Sequence, residues 1–126
     1  MSDSLERLYA AVIAAKDADP ATSRTAKLLR AGRAKMAKKL AEEAVEVVID
    51  AMHGQTEAVV KESADLMYNL VVLWVAAGIE PKHVWAEMNR RERMFGIAEK
   101  LLKRSSPAFA RRKVVALASA RAQKRR

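Results

Sequence analysis

The chain has 126 residues, about half of them hydrophobic and none of them cysteine, which sets one domain with a modest core and excludes a disulfide framework or a thiolate metal site. Its formal charge of +9 is a property of the tail: all 15 acidic residues fall between Asp3 and Glu99, residues 1–102 carry 15 Lys and Arg, and residues 103–126 carry nine positives and no negative. The N-terminus does not read as a secretory signal, and the longest strongly apolar run, residues 70–79, is about half the ~20 residues that span a bilayer, so the expectation is a soluble, cytoplasmic protein with no membrane partner.

Ser4 is placed to cap a first helix reaching about residue 18, with Leu5, Leu8, Tyr9, Val12 and Ile13 as its apolar stripe. Asp19-Pro20 ends it. A polar stretch containing Thr22, Ser23 and Thr25 leads through Lys27-Leu28-Leu29 to Gly32. The spacing predicts a long helix over residues 34–53 stopped by Gly54, and another over residues 56–77 capped by Thr56 and stopped by Gly78. Past Asp65 that second helix is apolar nearly all round, from Leu66 to Val75. It therefore belongs at the centre of a bundle or beneath a second subunit. Pro81 opens a further helix to about residue 103, carrying Val84, Trp85, Met88 and Ile97. No strand-like alternation of useful length occurs. The expected fold is an all-α bundle of four to five helices over residues 1–104, followed by a basic tail over residues 105–126 that Ser105-Ser106-Pro107 sets off.

Five acids carry the chemistry: Glu42, Glu43 and Glu46 on the first long helix, Glu62 and Asp65 on the second. Each helix spaces its acids i, i+3, so they project from one side. Glu46 and Glu62 are symmetric about Gly54, and so are Glu43 and Asp65. A reversal at Gly54 therefore sets Glu46 opposite Glu62 and Glu43 opposite Asp65. Taken alone, Glu-Glu-x-x-Glu is common on solvated helix faces. Glu62 and Asp65, however, lie in a helix with little polar surface, where a stray acid is rare. Four converging carboxylates repel one another and lose hydration, a cost that a hard divalent cation such as Mg²⁺ removes.

The run from Gly32-Arg33-Ala34-Lys35 through Lys38-Lys39-Leu40-Ala41-Glu42-Glu43-Ala44-Val45-Glu46, with Glu62-Ser63-Ala64-Asp65-Leu66-Met67-Tyr68-Asn69-Leu70, resembles the phosphoribosyl-ATP pyrophosphatases of histidine biosynthesis. These are small all-α proteins of the MazG-like nucleotide pyrophosphohydrolase superfamily. The resemblance covers about residues 5–91. It implies hydrolysis of the α–β phosphoanhydride of phosphoribosyl-ATP with Mg²⁺, or Mn²⁺ in its place, by a homodimer. Matching positions imply Glu43, Glu46, Glu62 and Asp65 as metal ligands, with Glu42 a further ligand, a supporting group or a base for the attacking water. Phosphates also need cations beside the acids. Lys39 and Lys35 are placed for this, one and two turns before Glu43; Arg33 and Lys38 are weaker candidates. Asn69, where the family often carries His, is placed to hydrogen-bond the nucleotide or a ligand carboxylate. Tyr68, Trp74 and Trp85 read as core or dimer contacts rather than base-stacking groups.

Two other readings compete. One is a house-cleaning pyrophosphohydrolase of (deoxy)nucleoside triphosphates. The other is a non-enzymatic helical protein whose basic tail binds nucleic acid or an acidic partner in a salt-sensitive way. The segment from residue 89 onward exceeds the usual end of the family.

Overall fold

The computed structural model describes residues 3–102, and the regular structure among them is entirely α-helical. In chain order the helices are α1 (Ser4–Ala15), α2 (Arg24–Ala31), α3 (Arg33–Met52), α4 (Thr56–Ala77) and α5 (Pro81–Leu102). The described residues group into two units, one up to His83 and one from Val84 onward. The expected boundary between residues 104 and 105, and the basic tail beyond it, lie outside the described residues. Among the latter no single helix is long and apolar enough to cross a membrane.

The first unit is organised by the reversal at Gly54. The α3 C-terminus closes with Gln55 N–H donating to the Asp50 carbonyl at 2.9 Å, across a glycine held at φ 67°. This is the six-to-one bond of a glycine-stopped helix, in a backbone region that L side chains avoid. Helix α4 then runs back along α3, its most extensive packing partner, and also packs against α1 and α2. Its end repeats the device: Gly78 sits at φ 73°, and Ile79 N–H donates to the Trp74 carbonyl at 2.9 Å. The apolar second half of α4 supplies most of the core. Val71, Val72, Trp74 and Val75 are buried there, joined by Val12 of α1, Ala26 of α2 and Met36 of α3. Helix α4 is central to this unit as expected, although Met67 in its apolar run stays 56% exposed in the single chain.

Two cap assignments are corrected. Ser4 and Thr56 are the first helical residues rather than caps, which are Asp3 and Gln55, and neither cap side chain accepts a hydrogen bond from a helix N–H. The first helix also stops three residues earlier than expected, at Ala15, ahead of a turn at Lys16 and Asp17.

Helix α2 occupies what reads in the sequence as a polar stretch. Its eight residues are too few for a helix to be stable in isolation, so tertiary anchors hold it. Ser23 caps it by accepting a hydrogen bond from Ala26 N–H at 3.1 Å. The Ala26 side chain is fully buried, and the hydroxyls of Thr25 and Tyr68 hydrogen-bond at 2.6 Å, tying α2 to α4. Substituting Ser23→Ala is expected to lower stability by about 1 kcal/mol, the usual cost of losing such a cap, read as a drop in Tm. A single residue, Gly32 at φ 97°, separates α2 from α3.

Candidate active site

The hairpin of α3 and α4 brings the acids together. One carboxylate oxygen from each of Glu43, Glu62 and Asp65 lies within 4.8 Å of the other two. Glu43 and Glu62 are half-buried, and in each the Oε2 atom is shielded from water with no hydrogen-bond partner. Glu46 also reaches Glu62. A proton shared first with Glu46 and then with Glu43 raises the Glu62 carboxyl from an ordinary 4.5 to about 8, with burial and the charges of the two neighbours adding to the effect. Glu42 is exposed and stands outside this grouping.

Shielded carboxylate oxygens with no donor nearby are costly, and a cation is the partner that satisfies several at once. The donor set is all oxygen and all anionic, which suits a hard divalent ion such as Mg²⁺ and disfavours soft metals. The residues present therefore fit a metal centre.

Glu43 and Asp65 also line a cleft of about 490 Å³. Lys35 and Lys39 of α3 face this cleft, and so do Arg24 and Lys27 of α2, together with Tyr68 and Asn69 of α4. Among the described residues none of the four cations has an ion-pair partner. Lys39 remains unpaired although Glu43 follows it by one turn. One wall thus carries carboxylates and the others carry free cations, an arrangement suited to a metal-bound polyphosphate.

Of the residues the sequence singles out, Lys35, Lys39 and Asn69 line the cleft with the acids, while Arg33 and Lys38 do not. Arg33 is the first residue of α3 and is exposed. Asn69 is nearly fully buried and donates its amide N–H to the Asp65 backbone carbonyl at 2.8 Å, not to a carboxylate. A carbonyl only accepts, so this bond fixes the amide and leaves Asn69 Oδ1 as a buried acceptor without a partner among the described residues. Tyr68 proves to be part of the cleft wall rather than a purely core contact. Arg24 and Lys27 are absent from the sequence-based candidates. Reading Ser23 as an N-cap would find them, since Arg24, Lys27, Leu28 and Ala31 then fall at i, i+3, i+4 and i+7 on one face.

The profile of the Phosphoribosyl-ATP pyrophosphohydrolase family matches residues 5–92 of this chain. The chain belongs to that family. It is 64% identical to phosphoribosyl-ATP pyrophosphatase 2 of Bradyrhizobium diazoefficiens, over 99% of this chain and 99% of that protein. It is 69% identical to phosphoribosyl-ATP pyrophosphatase 2 of Rhodopseudomonas palustris over 82% of this chain and 79% of that protein. With the phosphoribosyl-ATP pyrophosphatase of Azospirillum brasilense it shares 55% identity over 80% of this chain and 91% of that protein. The similarity to the Bradyrhizobium protein continues through the basic C-terminal segment, so that segment is not peculiar to this chain.

Proposed function

We propose that this chain hydrolyses phosphoribosyl-ATP to phosphoribosyl-AMP and pyrophosphate in histidine biosynthesis, with Mg²⁺ as cofactor. The observation that carries the reading is the approach of the Glu43, Glu62 and Asp65 oxygens to within 4.8 Å of one another, beside a cleft lined by unpaired cations. Glu43, Glu46, Glu62 and Asp65 would hold the ion. When bound, a divalent cation supplies charge neutralisation on the phosphates and makes water more acidic at neutral pH. Lys39 and Arg24 grip the phosphoryl oxygens nearest the carboxylates, holding the α–β bridge for attack. Water adds its oxygen to phosphorus, the bridging P–O bond breaks, and pyrophosphate leaves with that bond's electron pair. Glu42 lies one turn from Glu46 on the same side of α3, available to accept the water proton. The cytoplasm is the proposed setting, in keeping with a chain that holds no cysteine.

The test is a substrate panel with Mg²⁺, scored for pyrophosphate release. Turnover of phosphoribosyl-ATP well above that of ATP, dATP and dCTP is expected. Activity confined to deoxynucleoside triphosphates would overturn the assignment.

The working form is proposed to be a homodimer. On α3, Val45, Val48, Ile49 and Met52 are exposed at helical spacing, and on α4 Val60 and Met67 are exposed; Met52 has 81% of its surface open. Apolar patches of this kind on a single chain mark a surface that another protein covers. Sedimentation should give a dimer for the parent protein and a monomer for the double variant Val48→Glu, Met52→Glu. A monomeric parent would remove the proposal.

A further inference from the structure

The four cations of the cleft sort into two pairs by their distance from the α2–α3 corner. Both helices radiate from Gly32, the one residue between them. Lys27 and Lys35 stand five and three residues from that corner, whereas Arg24 and Lys39 stand eight and seven residues away. At 1.5 Å of rise per residue, Lys39 lies about 6 Å and Lys35 about 12 Å along α3 from Glu43. The Thr25–Tyr68 hydrogen bond fixes the register of the other helix. Tyr68 follows Asp65 by one turn of α4, so Arg24, next to Thr25, sits at the carboxylate end as Lys39 does. The cleft therefore runs from carboxylates, through Arg24 and Lys39, to Lys27 and Lys35 at the corner. Lys35 stands two turns of α3 from Glu43, and Lys27 lies on the corner side of Arg24, so both lie beyond the cations nearest the acids.

We infer that Lys27 and Lys35 form a second anion subsite, which binds the phosphomonoester of the substrate's phosphoribosyl group and so selects the doubly phosphorylated nucleotide over a simple nucleoside triphosphate. This rests on the substrate reading above. A phosphomonoester carries about −1.5 to −2 charge at neutral pH, which two unpaired ammonium groups match. The site discriminates because only a nucleotide that carries that group gains the two charge-assisted contacts. Lys27 and Lys35 are specificity residues and take no part in bond cleavage. Both are exposed, and neither contributes to the buried core, so replacing them leaves the fold intact.

The decisive measurement is inhibition of pyrophosphate release by phosphoribosyl-AMP and by AMP, which differ in the phosphoribosyl group alone. The parent protein should prefer phosphoribosyl-AMP. Lys27→Gln and Lys35→Gln should each cut that preference by about tenfold or more, the scale of one lost charge-assisted contact. Lys39→Gln should weaken both inhibitors alike and keep their ratio. A parent protein with no preference, or corner variants with the parental ratio, would overturn the subsite. Failure of the substrate reading itself would look different, since the parent protein would then release no pyrophosphate from phosphoribosyl-ATP.

Discussion

Replacing Glu43 by Gln, or Asp65 by Asn, is expected to lower kcat/KM for pyrophosphate release by about 10³-fold, beyond the 10–100-fold that supporting groups around a metal usually cost. The same substitutions should weaken Mg²⁺ binding in calorimetry while leaving helicity unchanged. The reason is geometric. Glu43, Glu62 and Asp65 each bring one oxygen into a sphere 4.8 Å across, so losing any one removes a third of the closest donors. A structural role predicts the opposite pattern. Were these acids merely part of a solvated face, the amides would change neither ion uptake nor turnover. Without metal, the amide variants should be at least as stable as the parent, because each removes one charge from a mutually repelling set. An ordinary loss of stability with unaltered ion binding would refute the metal-centre assignment.

The second large effect concerns pH. In the metal-free protein the Glu62 carboxyl is raised from 4.5 to about 8, chiefly by the proton shared with Glu46 and then Glu43. The folded state holds this proton more tightly than the unfolded state does. The resulting stabilisation is complete below about pH 4.5 and is lost as pH rises through about 8. Thermal denaturation of metal-free protein should therefore show Tm falling across that window, from this group. Mg²⁺ should raise Tm most at its upper end, where all four acids are ionised and the repulsion is largest. Near pH 7, ion binding should expel about one proton, measurable as a dependence of the calorimetric heat on buffer ionisation. Glu62→Gln should flatten the Tm profile and abolish proton release. A parent profile that is flat between pH 5 and 8 would contradict the shared-proton arrangement.

The centre of the molecule is legible in the sequence because local and global signals agree there. Gly54 and Gly78 stop their helices as expected, and the symmetry of the acid pairs about Gly54 anticipates the convergence of Glu43, Glu62 and Asp65. Both features follow from helix periodicity and one obligatory turn residue. The rest depends on tertiary contacts, which periodicity does not encode. Helix α2 is eight residues long and half polar in composition, and the hydroxyl bond from Thr25 to Tyr68 and the buried Ala26 hold it in place. Missing that helix conceals Arg24 and Lys27, half of the cationic lining. For Asn69 the carboxylate contact is not the one made. Its i, i+4 relation to Asp65 is correct, but the amide bonds the main chain, a choice between backbone and side-chain acceptors that spacing does not decide.

Gly32 has a consequence for how the enzyme tunes substrate choice. Its φ of 97° and ψ of 166° fall where side-chain-bearing residues are strained, although open space surrounds the position. The constraint is thus torsional: a side chain here strains the joint between α2 and α3 and sets it against the Thr25–Tyr68 bond and the buried Ala26 that anchor α2. Phosphoryl grip through Arg24 and nucleotide selection through Lys27 therefore hang on the same backbone joint, so a change at Gly32 is felt by both at once.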